Sequence, residues 1–135
     1  MTTEATLNVR MEDPIDFTCA DGTAIPKGTL CKLTDPRTAI ASSAGGDMIA
    51  GICARDKIAS DGRTQVACFR KGIFTMRADG TIDIGGPVMA DGVDNKVIAS
   101  TGKTGAAQIG YALEAATVGT DLQVMVDIGA SGAVA

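Results

Sequence analysis

Residues 106–116 read Ala106-Ala107-Gln108-Ile109-Gly110-Tyr111-Ala112-Leu113-Glu114-Ala115-Ala116, and whether they form a helix or a strand decides the fold class. Alanine, leucine and glutamate favour a helix. Against that, Ile109, Tyr111 and Leu113 alternate with smaller residues, the period of a half-buried strand. Gly110 stands between them, where it costs a helix about 1 kcal/mol relative to alanine. A second stretch tips the balance. Asp47-Met48-Ile49-Ala50-Gly51-Ile52-Cys53-Ala54 matches it and reads as a strand.

That match belongs to a longer self-similarity. Placing Gly28 on Gly86 brings Ile40-Ala41-Ser42 onto Ile98-Ala99-Ser100 and Gln65-Val66 onto Gln123-Val124. One extra residue between these anchors puts Gly46 on Gly105 and Gly51-Ile52 on Gly110-Tyr111. The recurring unit is a glycine, a short strand, a polar turn, Ile-Ala-Ser, a glycine turn and two further strands. An internal two-fold sequence repeat is therefore expected.

Just upstream, Gly102-Lys103-Thr104 carries the last letters of a phosphate-binding loop. Such a loop needs G-x-x-x-x-G-K-[ST], so that backbone N–H groups wrap a phosphate. Five positions before Gly102 stands Val97, not glycine, and Gly105 and Gly110 interrupt the helix that should follow. In the repeat, these residues fall on Ser42-Ser43-Ala44-Gly45-Gly46. The reading is a polar turn.

Elsewhere the chain alternates with period two. Residues 64–70 and 72–77 do so, and Leu122, Val124, Val126 and Ile128 mark a further strand. Asp-Gly at 21–22, 61–62, 79–80 and 91–92, and Gly-Gly at 45–46 and 85–86, predict two-residue hairpin turns. Short strands at near-regular intervals give an all-β fold, a small β-barrel or sandwich. Its 135 residues suit one domain. Aromatic residues make up 3% of the chain, so aliphatic side chains must fill the core, with the four rings expected inside it.

Charge and residue inventory exclude several functions. The net charge is −4 with scattered lysines and arginines, whereas nucleic-acid binding needs a concentrated basic surface. No apolar run reaches the length of a membrane-spanning helix. The start, Met1-Thr2-Thr3-Glu4, has no basic and apolar targeting pattern. Cys19, Cys31, Cys53 and Cys68 include no C-x-x-C pair, and the chain has no histidine, so no zinc set is expected. Buried free thiols are predicted, with two disulfides the alternative. Without histidine a Ser or Cys nucleophile lacks its usual base. Most of the 13 aspartates adjoin Gly, Pro or Asn, where turn chemistry accounts for them. Asp91-Gly92-Val93-Asp94-Asn95 lacks the pattern of a calcium loop. No catalytic, cofactor-binding or metal-binding residue is assigned, and a fold of this kind is expected to act through its surface.

The ends differ from the middle. Residues 1–14 carry Leu7, Val9 and Met11 at alternate positions without a turn before Asp13-Pro14. They read as an extended arm able to join a sheet edge, its own or a neighbour's. The domain is expected over 15–128 and a flexible tail over 129–135.

Ile25-Pro26-Lys27-Gly28-Thr29-Leu30-Cys31 and Asp83-Ile84-Gly85-Gly86-Pro87-Val88-Met89 resemble strand starts of the capsid cement (head decoration) proteins of tailed bacteriophages. Gly51-Ile52-Cys53-Ala54 and Gly110-Tyr111-Ala112-Leu113 look like that family's glycine-led strand, and Val124-Met125-Val126 like its closing strand. The resemblance covers residues 15–128. It implies an all-β homotrimer on the outer capsid surface that clamps neighbouring major capsid protein subunits, with no catalytic residues. Leu7, Val9 and Met11 are then the candidate capsid-contacting residues of the arm. The alternative is a tail- or fibre-associated module contacting a host surface.

Overall fold

The computed structural model describes residues 4–92, 95–100 and 107–128. Among them are eleven strands and no α-helix: β1 (Thr6–Arg10), β2 (Ile15–Thr18), β3 (Leu30–Leu33), β4 (Ala39–Ala41), β5 (Ile49–Cys53), β6 (Gln65–Phe69), β7 (Lys71–Arg77), β8 (Pro87–Ala90), β9 (Val97–Ala99), β10 (Gly110–Ala112) and β11 (Asp121–Asp127). The disputed segment contributes β10, so the alternation around Gly110 outweighed alanine's helix preference. Gly102-Lys103-Thr104 and the tail 129–135 lie outside the described residues.

The strands form two antiparallel sheets, ordered β1-β7-β11-β10-β8-β9 and β2-β6-β5-β3-β4. No closed barrel forms among the described residues; the architecture is a sandwich. The order β6-β5-β3-β4 in one sheet runs parallel to β11-β10-β8-β9 in the other, bond for bond in places. Gly28 N–H donates to the Cys53 carbonyl at 2.8 Å, and Gly85 N–H to that of Ala112 at 2.8 Å. Ile25 bridges Lys57 as Ile82 bridges Ala116. Positive φ falls at Gly28 and Gly85, Arg37 and Asn95, Ser60 and Gly119. In the sheets Gly28 thus takes the place of Gly85, one residue from the pairing that sequence alignment suggests.

The Asp-Gly and Gly-Gly pairs do not form two-residue hairpins. β3 and β4 are joined by 34–38, β5 and β6 by 54–64, β8 and β9 by 91–96, and β10 and β11 by 113–120. Within these longer loops aspartate serves another purpose. Asp21 Oδ1 accepts the Gly62 N–H at 2.8 Å, and Asp61 Oδ1 the Arg63 N–H at 2.9 Å.

Two cores result. The larger joins the inner face of the six-stranded sheet (Phe74, Met76, Val88, Val124, Val126) to Leu30, Ile49, Ile52 and Phe69 of the other sheet. The smaller lies on the opposite face of the five-stranded sheet and holds Phe17, Ile25, Val66 and all four cysteines. β5 is buried at every position, and a register shift explains how it serves both cores. Cys31 pairs with Gly51 and Lys32 with Ile49, so Ala50 is an extra residue. Such a bulge sends Ile49 and Ile52 to one face, Ala50 and Cys53 to the other.

Candidate interaction surface

The reactive side chains are engaged in structure. All four thiols are buried and free. A hydrogen bond with Cys68, followed by burial, raises the Cys31 thiol well above its ordinary range. Burial pushes Cys53 up to about 12. Gly51 makes this crowding possible: a Cβ there would lie 2.8 Å from that of Cys68 and 2.6 Å from the Phe69 carbonyl oxygen. Thiols so disposed are packing groups, because the thiolate is the reactive form.

Lys57 is the one fully buried cation among the described residues, its side chain 1% exposed. Its Nζ donates to the carbonyl oxygens of Asp21 (2.9 Å) and Ile58 (2.7 Å) and lies 2.8 Å from Asp61 Oδ1. Asp21 Oδ1 adds a longer contact at 3.4 Å, and the loops 19–29 and 54–64 are tied together. The Lys57 ammonium holds the Asp61 carboxyl down at about 2. Asp47 works similarly in its own loop, accepting hydrogen bonds from the Ser42 hydroxyl and the Ser43 and Ala44 N–H groups. Burial opposes its charge, yet these bonds outweigh it and hold the carboxyl below its usual value. Asp91 is the exception. Burial and a hydrogen-bonded Asp79 carboxyl raise it to about 6, with Lys96 opposing. Among the described residues no group of three or more Cys, Asp or Glu is arranged to hold a metal.

The arm residues part company. Residues 6–10 form β1, an edge strand on the chain's own six-stranded sheet. Leu7 pairs with Phe74 and Val9 with Ile73, leaving Asn8 as an extra residue. That bulge reverses the alternation. Leu7 packs against the larger core, whereas Val9 is 47% and Met11 45% exposed. Their even spacing in sequence places the three on one face; the bulge removes Leu7 from it.

A surface that sequence reasoning missed emerges on the outer face of this sheet. Val9 lies opposite Ile73, Ile73 opposite Met125, Met125 opposite Tyr111, and Tyr111 opposite Pro87. Directly opposed residues share a face, so one apolar row crosses five strands, about 19 Å at the usual strand spacing. Tyr111, expected inside, is 43% exposed. Polar pairs border the row. Lys71 faces Asp127 and Thr75 faces Gln123, and Arg77 Nε lies 2.6 Å from Asp121 Oδ1. The signal was present in the alternation of Ile73, Met125 and Tyr111, but only the strand order aligns them.

Comparison with known proteins now bears on this geometry. The family described as phage cement protein matches residues 9–128, which spans nearly all of both sheets. Among solved structures the fold is similar to "The crystal structure of head fiber gp8.5 N base in bacteriophage phi29", with a TM-score of 0.54 and 16% identity over 84% of this chain and 93% of that one. No curated protein matches the sequence.

Proposed function

We propose, from the fact that the chain belongs to the phage cement protein family, that it is a structural head protein and not an enzyme. It binds the outer surface of a phage head as a homotrimer and cements neighbouring major capsid protein subunits. The family match across 9–128 is the observation that carries this reading. The chemistry agrees with it: the thiols serve packing and Asp21, Asp47 and Asp61 hold loops, and the notable exposed features are apolar. A net charge of −4 suits the outside of a shell better than its DNA-filled interior. The parallel strand orders of the two sheets suit a duplicated unit, read in sequence as the internal repeat.

Val9 and Met11 are retained as head-contacting residues. Leu7 joins them only through its place on the same strand. Modest individual contacts suffice where a trimer engages several lattice subunits, since effective concentration multiplies them by factors of about 10²–10⁴. The test is sedimentation of the protein with undecorated heads. Val9→Ser combined with Met11→Ser should weaken co-sedimentation while leaving the melting temperature unchanged, and heads that never retain the parent protein would refute the reading.

A second reading, a tail- or fibre-associated module contacting a host surface, is favoured by exposed Tyr111, since sugar sites use exposed aromatic rings. Directly opposite that ring stand Met125 and Pro87, which offer a sugar no side-chain hydrogen bonds, while Gln123 and Asp127 flank Met125 on the same face. A glycan-array signal lost in Tyr111→Ala would favour it over cementing.

A further inference from the structure

We infer that the outer face of the six-stranded sheet, centred on the row Ile73–Met125–Tyr111–Pro87 and leaving Val9 on the edge strand to the head, is where a second copy of this chain docks. The inference rests on the homotrimer of the preceding section and gives it a face. Its starting point is the fate of the same row in the other sheet. Leu30, Ile52 and Phe69 lie opposite one another across β3, β5 and β6, as Pro87, Tyr111 and Met125 do across β8, β10 and β11. In the five-stranded sheet this row is 0–7% exposed and sealed within the larger core. What seals it is the inner face of this chain's other sheet, as the ring centroids of Phe69 and Phe74, 6.0 Å apart, attest. The chain therefore already packs this kind of row against a sheet of its own. In the six-stranded sheet the row keeps its apolar character, and β7 lengthens it with Ile73, yet among the described residues nothing seals it: Tyr111 is 43% exposed and Ile73, Met125 and Pro87 are half-buried.

Charge points to the same occupant. Copies of a chain with net charge −4 repel one another weakly, so a self-docking face must be locally neutral. This one is: Lys71 faces Asp127 and Arg77 pairs with Asp121. An apolar centre inside a polar border is how specific interfaces are built, with tyrosine among the residues enriched at their energetic centres. The strands of this sheet run from three residues to seven, which at standard strand dimensions gives a face of about 460 Å² in projection, more than half of the roughly 800 Å² per partner of a specific complex before side-chain relief and loops are counted. The five-stranded sheet offers no such alternative, because its second face is closed by the cysteine core.

The experiment measures the mass of the full-length protein in solution by light scattering across a concentration series, together with its binding to undecorated heads. Expected is an oligomer for the parent chain, and self-association at least about 30-fold weaker, the loss of a hot-spot contact, for Tyr111→Lys and Met125→Lys. Ile58→Lys, at an apolar position 66% exposed on a loop of the other sheet, should remain assembled. Unchanged melting temperatures verify that the variants fold. A monomeric parent at every concentration overturns the inference, as do Tyr111→Lys and Met125→Lys proteins that stay assembled. If those variants stay assembled yet lose the heads, the face belongs to the capsid and only the self-docking claim fails. If they dissociate while the parent never binds heads, the cement reading fails and this one stands.

Discussion

Replacing Gly110 with alanine tests the strand packing that orients Tyr111. An ideal Cβ at Gly110 would lie 1.9 Å from the Met125 carbonyl oxygen and 2.9 Å from its carbon. Both are backbone atoms, so no rotamer relieves the contact. Ordinary contact begins at 3.4 Å, so β10 must retreat from β11 by about 1.5 Å. The strand has three residues and is paired on both sides, and retreat from β11 drives it into β8. Overpacking costs about 1–3 kcal/mol, and one or two weakened ladder bonds add about 1 kcal/mol each. The total of roughly 3–4 kcal/mol is a large part of the 5–15 kcal/mol typical of a domain. At this chain length it corresponds to a fall of about 10–15 °C in melting temperature, read by circular dichroism. Gly22→Ala is the control, because nothing lies within 4 Å of a Cβ there; it should melt within about 2 °C of the parent. A Gly110→Ala protein that melts as the parent does would refute the β10–β11 register, and with it the apolar row.

Three further outcomes follow from the same geometry. Asp91→Asn should stabilise the protein at neutral pH by about 1 kcal/mol after discounting for solvent screening, and not at pH 4. A carboxyl raised to about 6 binds its proton more tightly folded than unfolded, so its penalty grows as pH rises from about 4 to 6 and is complete above that; an equal gain at pH 4 would contradict the pairing with Asp79. The four thiols should resist a maleimide in the native protein and react once unfolded, and one fast native thiol would show that the second core is open. Leu7→Ala should cost about 1–2 kcal/mol in urea unfolding, as a half-buried leucine, whereas Val9→Ser should be near neutral; equal effects would contradict the bulge at Asn8.

The strands were legible where a single segment carries its own period. Residues 64–70, 72–77 and 122–128 alternate, and β6, β7 and β11 stand there. Burial of the cysteines was legible from their apolar neighbours. Their convergence was not, because Cys31, Cys53 and Cys68, with Cys19 just after β2, meet only through the order β2-β6-β5-β3. The bulges at Asn8 and Ala50 were invisible for a related reason: an extra residue is defined by its partner strand, and no local pattern in Thr6–Arg10 or Ile49–Cys53 announces one. Each bulge moved a side chain to the opposite face, which is why Leu7 packs against the larger core while Val9 does not. The two-residue hairpins failed because Asp21 and Asp61 spend their carboxylates on loop N–H groups and on Lys57, holding longer connections in shape.

The outer row follows from the difference between the two halves. Ile52 and Tyr111 occupy corresponding places, each between a β3- or β8-type strand and a β6- or β11-type strand. Ile52 is 0% exposed and Tyr111 43%. Fully burying a large apolar side chain is worth about 1.5–3 kcal/mol, so the chain recovers that at Ile52 and forgoes nearly half of it at Tyr111. On an ordinary solvent-facing surface polar residues would cost nothing there, as Gln123 and Thr75 on the adjoining row illustrate. Instead Val9, Ile73, Met125, Tyr111 and Pro87 remain apolar across five strands. A contiguous apolar row inside a charge-neutral border is what an interface requires and an idle surface does not. The proposed docking therefore puts the functional weight of the molecule on the six-stranded sheet, with the doubly buried sheet as its support.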